Sequence, residues 1–166
     1  MREPLKDKSR LEHIVSAIDT IMERANGLTY EKLTADKILF GGIVYYTMII
    51  GEAAYFLSKP FKEKYNQTEW DKITKMRHNL VHGYYQVDPD VVWSVIQDDL
   101  SPLREQVMRY LNEVDWETWH KDYQVVSETA VHKNLVQTAK RMKNDGMPTK
   151  QISRYTGLTA EEIEDL

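Results

Sequence analysis

The chain has 166 residues, no cysteine and a formal net charge of −4. This length provides for one hydrophobic core with room for an appendage, and the lack of cysteine excludes disulfides and thiolate metal sites. There is no charged leader before an apolar stretch, and Gly51 and Glu52 interrupt the most apolar segment, residues 43–57, which is too short to span a bilayer. We therefore expect a soluble cytoplasmic protein.

Two long helices are predicted in the first 60 residues. Apolar residues recur at helical spacing from Leu11 to Met22, and Gly27 ends this first helix. Thr34 is the predicted N-cap of a second helix that runs to about residue 58, where Pro60 ends it. The second helix is apolar nearly all round, which predicts the buried central helix of a bundle. Its aromatic residues are expected to pack in the core: Tyr45, Tyr46, Tyr55 and Phe56.

The next two helices are predicted from capping signals. Thr68, with Asp71 three residues on, resembles a capping box and opens a third helix that Gly83 ends. Asp88 as N-cap and Pro89 at the first helical position open a fourth helix, which continues past residues 101–102 to about residue 111.

The last third of the chain is also predicted to be helical. Residues 115–123 look like a junction that packs aromatic residues back on the bundle. Ser127 is expected to cap an amphipathic helix that Gly146 ends, and Thr159 with Glu162 forms a capping box in a final helix–Gly–helix segment. We expect an all-α antiparallel bundle of four to five helices over residues 1–126, followed by a helical appendage over residues 127–166.

The charge is unevenly distributed. Between Lys59 and Arg77 six Lys or Arg residues face three acidic residues, a net of +3, so the remainder of the chain sums to −7. A local basic patch on an acidic protein favours a confined anionic substrate over extended DNA binding.

The segment from Lys75 to Tyr84 carries the clearest chemical signal, because Arg77, His82 and Tyr84 lie within eight residues. On a continuous helix Arg77 and Tyr84 share a face. Gly83 lets the backbone leave the helix, so that His82 and Tyr84 can turn toward the same binding site. Neutral His82 is suited to take the proton of a 2′-hydroxyl. Arg77 offers a fork of donors to phosphate, and Tyr84 can bond phosphate or stack on a base. The structural alternative is a salt bridge and a helix C-terminal dipole partner.

The pattern Arg-x4-His-x-Tyr, here Arg77, His82 and Tyr84, resembles the signature of HepT proteins in the HEPN superfamily. The resemblance covers about residues 11–114. The flanking segments that also match are residues 50–54, 69–71, 85–88 and 91–93. One departure is His78, since relatives often carry Asn or Asp directly after the Arg. His78 and the following Asn79 are taken as supporting residues that contact substrate.

The resemblance implies a helical bundle and a homodimer that brings two Arg/His pairs into one cleft. It also implies a metal-independent endoribonuclease toxin that needs no cofactor, with RNA as substrate and a minimal nucleotidyltransferase (MNT) as antitoxin. In that family the antitoxin modifies the motif tyrosine with AMP, and the matching residue is Tyr84. The alternative function is a non-catalytic helical module that binds a nucleotidyltransferase.

Three further interpretations stay open. His78 and His82 are four residues apart and would need a third ligand, Glu52 or His13, to hold a metal ion. We expect that these residues do not form a metal site. Glu52, inside an apolar helix, either orients Arg77 or forms a hydrogen bond within the bundle.

The C-terminal tail superficially resembles a helix-turn-helix, but its last helix is acidic. An acidic helix would repel DNA, so we expect the tail to dock a protein and not to bind DNA.

Overall fold

The computed structural model describes residues 6–166, without the side chains of residues 122–128, and within this range it is all-α with no strand. The predicted helical fold class is therefore confirmed. The helices are α1 Asp7–Ala25, α2 Tyr30–Ala35, α3 Lys37–Phe56, α4 Lys59–Lys64, α5 Trp70–His82, α6 Pro89–Ser94, α7 Leu100–Glu113, α8 Trp116–Asn144, α9 Thr149–Thr156 and α10 Ala160–Glu164.

The chain forms two compact units, of which the first ends at Trp116 and the second runs from Glu117 to Leu166. This division falls inside the long helix α8 and before the predicted boundary at 126/127. In the first unit α3 packs on both α1 and α5, and α1 also packs on α7. This core buries apolar side chains completely or almost so, among them Leu11, Ile14, Ile18, Ile50, Ala54 and Val107.

A buried carboxylate joins the start of α1 to the end of α3. Asp7 is fully buried and accepts hydrogen bonds from the backbone N–H of Ser58 at 2.8 Å and from its hydroxyl at 2.5 Å. Arg10 lies 3.5 Å from the same carboxylate. Since a buried charge is costly without partners, this contact fixes where α3 ends and α4 begins.

The second helix ends close to the predicted position, but the residues predicted to begin and end it are wrong. Asp36, and not Thr34, is the N-cap of α3, because its carboxylate accepts from the N–H groups of residues 38 and 39. Thr34 lies inside the short helix α2, where its hydroxyl donates to the carbonyl of Tyr30. Pro60 lies in the first turn of α4, so it helps to begin a helix, and α3 has already ended at Phe56.

The predicted capping box at Thr68 is also wrong. Helix α5 begins one residue later than such a box requires, with Glu69 at the N-cap and no side-chain cap. The buried hydroxyl of Thr68 instead donates to Gln106 at 2.6 Å and lies 2.6 Å from the hydroxyl of Tyr110. Tertiary hydrogen bonds to α7 therefore use the oxygen that a local cap would need.

Asp88 and Pro89 begin α6 as predicted, with the Asp88 carboxylate accepting from the N–H of Asp90. Residues 95–99 then form a π-helical turn that leads directly into α7. The predicted continuation past Pro102 is thus confirmed, with one wider turn that the apolar periodicity did not indicate.

Helix α3 is less buried than its composition predicts. Ile38 is 87% exposed and Tyr45 is 58% exposed, while Tyr55 and Phe56 are each 40% exposed. Tyr46, the fourth aromatic residue, is half-buried. The expected core packing of these aromatics is wrong for the single chain. By length and composition α3 also qualifies as a membrane span, contrary to expectation, although core helices of soluble proteins meet the same criterion.

Helix α8 begins at Trp116 and runs unbroken through the rest of the predicted junction, residues 115–123, and into the second unit. No helix therefore begins at Ser127, whose side chain lies outside the described residues. Gly146, with φ +78°, follows the end of α8 as predicted. The capping box of Thr159 and Glu162 is present, and its hydrogen bonds lower the pKa of the Glu162 carboxyl below its ordinary value. Lys143 donates to the carbonyls of residues 163 and 164, which closes α10 onto α8.

Candidate functional site

Close contact between α3 and α5 sets the position of Arg77. A Cβ built on Gly51 would lie 2.2 Å from the Cβ of Arg77 and 3.1 Å from the carbonyl oxygen of Ile73. Any other residue at this point of α3 would therefore push α5 away. The sequence signal was an isolated glycine inside an apolar helix, which indicates close backbone approach, but its partner could not be read from the sequence.

The next residue of α3 supplies the charged partner of Arg77. Glu52 Oε2 lies 2.6 Å from Arg77 Nε, with the two side chains 43% and 31% exposed. This contact agrees with one of the two interpretations left open for Glu52, that it orients Arg77. At this exposure an ion pair contributes at most about 1 kcal/mol to stability.

The two histidines of α5 touch each other. The rings of His78 and His82 have centroids 4.4 Å apart with an interplanar angle of 50°, as expected for residues one helical turn apart, and both residues are exposed. Neither Glu52 nor His13 joins them: within the described residues there is no group of three His, Asp or Glu side chains that could hold a metal ion.

Helix α5 ends at His82, so Arg77 and Tyr84 do not share a helix face as predicted. Tyr84 lies in the 3₁₀ turn of residues 84–86, is 78% exposed and contacts Tyr85 edge-on at 5.7 Å between centroids. Gly83 ends the helix at φ −107°, a conformation open to any residue. A steric clash explains why residue 83 is glycine, because a Cβ at this position would lie 2.8 Å from the carbonyl oxygen of Asn79.

The predicted basic segment is distributed over α4 and α5, and several of its charges have acidic neighbours. Lys59 lies 3.5 Å from Glu63, and Lys72 lies 3.4 Å from Glu69. Lys75 is exposed on the same helix as Arg77. The excess positive charge near Arg77 is therefore modest and local.

A cavity of the first unit lies elsewhere. It has a volume of about 270 Å³ and is bounded by α3, α5, the π-helical turn and α7, with Ile73 and Met76 on its α5 side. Arg77, His78 and His82 do not line it. The polar site is an open surface, which suits a polymer such as RNA better than an enclosed small molecule.

A family model described as "Ribonuclease HepT-like" matches residues 14–110, which include all of α3 and α5. The chain belongs to the HepT-like ribonuclease family. This confirms the resemblance found in the sequence and the predicted enzyme class, ribonuclease. The whole of the second unit lies beyond the residues that this HepT-like family model matches.

Curated relatives agree with the family assignment. A candidate RNase of Caldanaerobacter subterraneus is 35% identical over 101 residues, 61% of this chain and 90% of that protein. A candidate ribonuclease HepT of Thermococcus cleftensis is 31% identical over 58% of this chain and 88% of its own length. A gamma-glutamylcyclotransferase and candidate RNase of Methanocaldococcus jannaschii is 32% identical over 65% of this chain and 49% of its own length. No solved structure matches the chain significantly.

Proposed function

We propose that this HepT-like protein is a cytoplasmic, metal-independent endoribonuclease toxin, held in check by a nucleotidyltransferase antitoxin. The observation that carries the proposal is the polar side of α5, where Glu52 lies 2.6 Å from Arg77 and the exposed His82 ends the helix. His82 takes the proton of a 2′-hydroxyl, the 2′-oxygen attacks the adjacent phosphorus, and the bond from phosphorus to the 5′-oxygen breaks. The products are a 2′,3′-cyclic phosphate and a 5′-hydroxyl.

Arg77 stabilises the negative charge on the phosphoryl oxygens, because its guanidinium lies beside the Glu52 carboxylate and remains partly open to solvent. Asn79 is exposed on the last turns of α5 and supports substrate binding there. These residue types supply proton transfer and charge stabilisation without a metal.

Purified protein incubated with RNA, with and without a chelator, tests the chemistry. We expect cleavage that survives chelation and leaves a cyclic phosphate. Arg77→Ala and His82→Ala should each slow cleavage by at least about 100-fold, whereas Arg109→Ala, at an exposed position of α7, should have no effect. Activity that depends on added metal, or that is untouched in both site variants, would refute the mechanism. No cleavage at all would favour the alternative, a non-catalytic partner of a nucleotidyltransferase.

We also propose a homodimer in which the α5 helices face each other and two Arg/His pairs line one cleft. Supporting this, α3 carries exposed apolar side chains on either side of Glu52, including Tyr45, Tyr55 and Phe56. Exposed aromatic residues in this number are typical of an interaction surface. Light scattering at micromolar concentration should give a dimeric mass. A monomeric mass with full activity would contradict the dimer.

The proposed antitoxin is of the minimal nucleotidyltransferase (MNT) type and modifies Tyr84. The hydroxyl of Tyr84 attacks the α-phosphorus of ATP, loses its proton and releases pyrophosphate, which leaves AMP on the ring. At 78% exposure Tyr84 is accessible without unfolding. The added phosphate would compete with RNA for the donors of Arg77.

Mass spectrometry after incubation with the cognate nucleotidyltransferase and ATP tests the modification. AMP should appear on the wild-type protein and on Tyr85→Phe but not on Tyr84→Phe. Tyr85 is a matched control because it is the adjacent tyrosine and is 70% exposed. Neutralisation of Tyr84→Phe without any adduct would mean that the antitoxin acts by occlusion alone.

A further inference from the structure

Cleavage of an RNA strand by its own 2′-hydroxyl moves two protons. One leaves the attacking 2′-oxygen, and another must reach the 5′-oxygen, which otherwise departs as a poorly stabilised alkoxide. A single imidazole near neutral pH transfers one proton at a time. The mechanism proposed above assigns only the first of these transfers, so the donor to the leaving group is still missing.

We propose that His78 is the general acid that protonates the 5′-oxygen, and that His78 and His82 work as an acid–base pair on one helix. This inference rests on the proposed ribonuclease function. The ring contact at 4.4 Å places both imidazoles within reach of one phosphodiester, and both are exposed to the solvent from which RNA arrives.

The reaction requires one neutral ring that accepts a proton and one protonated ring that donates a proton. In the proposed pair His82 is the neutral ring and His78 is the protonated ring. Arg77, which lies on the same helix and is paired with Glu52 at 2.6 Å, would hold the phosphodiester.

The atoms balance without any further reactant. His82 gains the proton from the 2′-hydroxyl while the new bond from the 2′-oxygen to phosphorus forms. The bond from phosphorus to the 5′-oxygen breaks, and His78 passes its proton to that oxygen. The pair ends with the proton on the opposite ring, and exchange with solvent restores the starting state.

A leaving-group experiment tests the assignment. The preferred linkage is first mapped on a random RNA pool, and an oligonucleotide is then made in which sulfur replaces the bridging 5′-oxygen of that linkage. A thiolate leaves readily without protonation, so the sulfur substrate does not need the general acid. Cleavage of oxygen and sulfur substrates is compared for wild type, His78→Asn, His82→Asn and His132→Asn, the last an exposed histidine of the second unit.

His78→Asn should cleave the oxygen substrate at least about 100-fold more slowly than wild type, yet cleave the sulfur substrate within a few-fold of wild type. His82→Asn should be slow on both, and His132→Asn should match wild type on both. Equal impairment of His78→Asn on both substrates, wild-type rates with the oxygen substrate, or rescue of His82→Asn by sulfur would overturn the assignment. His78→Gln, checked for helical content, repeats the test in case Asn disturbs α5. A wild-type protein that cleaves neither RNA would instead refute the ribonuclease proposal itself.

Discussion

Replacing Gly51 by alanine tests whether close approach of α3 and α5 holds Arg77 in place. The new Cβ would lie 2.2 Å from the Cβ of Arg77. Ordinary carbon–carbon contact begins at about 3.5 Å, so the helices must separate by about 1.3 Å. Rotation of a side chain cannot relieve this clash, because both atoms are fixed to their backbones.

The expected cost follows from two opposing terms. Overpacking of this kind costs about 1–3 kcal/mol, while alanine stabilises a helix interior by about 0.5–1 kcal/mol relative to glycine. At the middle of these ranges the net loss is about 1 kcal/mol, so Gly51→Ala should lower the melting temperature by about 2–4 °C. Displacement of Arg77 by about 1 Å should lower kcat by about 100-fold.

Gly41→Ala is the matched control, since it changes the same helix where a Cβ would meet nothing within 4 Å. It should melt at or slightly above the temperature of the wild type and cleave RNA at the wild-type rate. Circular dichroism melts and RNA cleavage rates give both readouts. If Gly51→Ala is as stable and active as Gly41→Ala, the close approach of the helices does not position the site.

Three further substitutions separate the site from its scaffold. Glu52→Gln should lower kcat by up to about 100-fold without weakening RNA binding, because it frees the orientation of Arg77 and removes a negative charge near the phosphate; measured kcat and RNA affinity check this. Asp7→Ala should cost about 2–3 kcal/mol in a urea melt, since it leaves the buried N–H of Ser58 unpaired. Thr159→Ala should destabilise α10 by about 1 kcal/mol and leave RNA cleavage unchanged, as judged by hydrogen exchange and activity.

Local signals predicted helices well but misjudged their ends. Asp88 and Pro89 were assigned correctly, because a cap and a proline act on their own backbone and need no distant partner. Thr68 was misassigned because its hydroxyl bonds to Gln106 and Tyr110, some 40 residues away in sequence. A capping motif shows only which local hydrogen bonds a side chain can make. Whether the side chain makes them depends on the tertiary hydrogen bonds that compete for the same atoms.

The site was predictable where it depends on residue chemistry and unpredictable where it depends on helix packing. The types and spacing of Arg77 and His82 indicated phosphate chemistry before any fold was known. That Gly51 faces Arg77 required the register of α3 against α5, which no local pattern contains. The ring contact of His78 with His82 followed from their spacing of four, a spacing that is also found in pairs of metal ligands.

Helix α3 has features that bear on both the fold and the proposed dimer. Being apolar nearly all round, it was expected to lie at the centre of the bundle, yet Ile38 and Tyr45 are mostly exposed in the single chain. Its buried side has the glycine that admits α5, and the adjacent position holds Glu52 against Arg77. Apolar surface beside this charged face is costly in water unless another surface covers it. A second copy that covers this side of α3 would bury these residues and bring a second Arg77 and His82 to the same cleft, so the composition of α3 and the proposed dimer have one physical explanation.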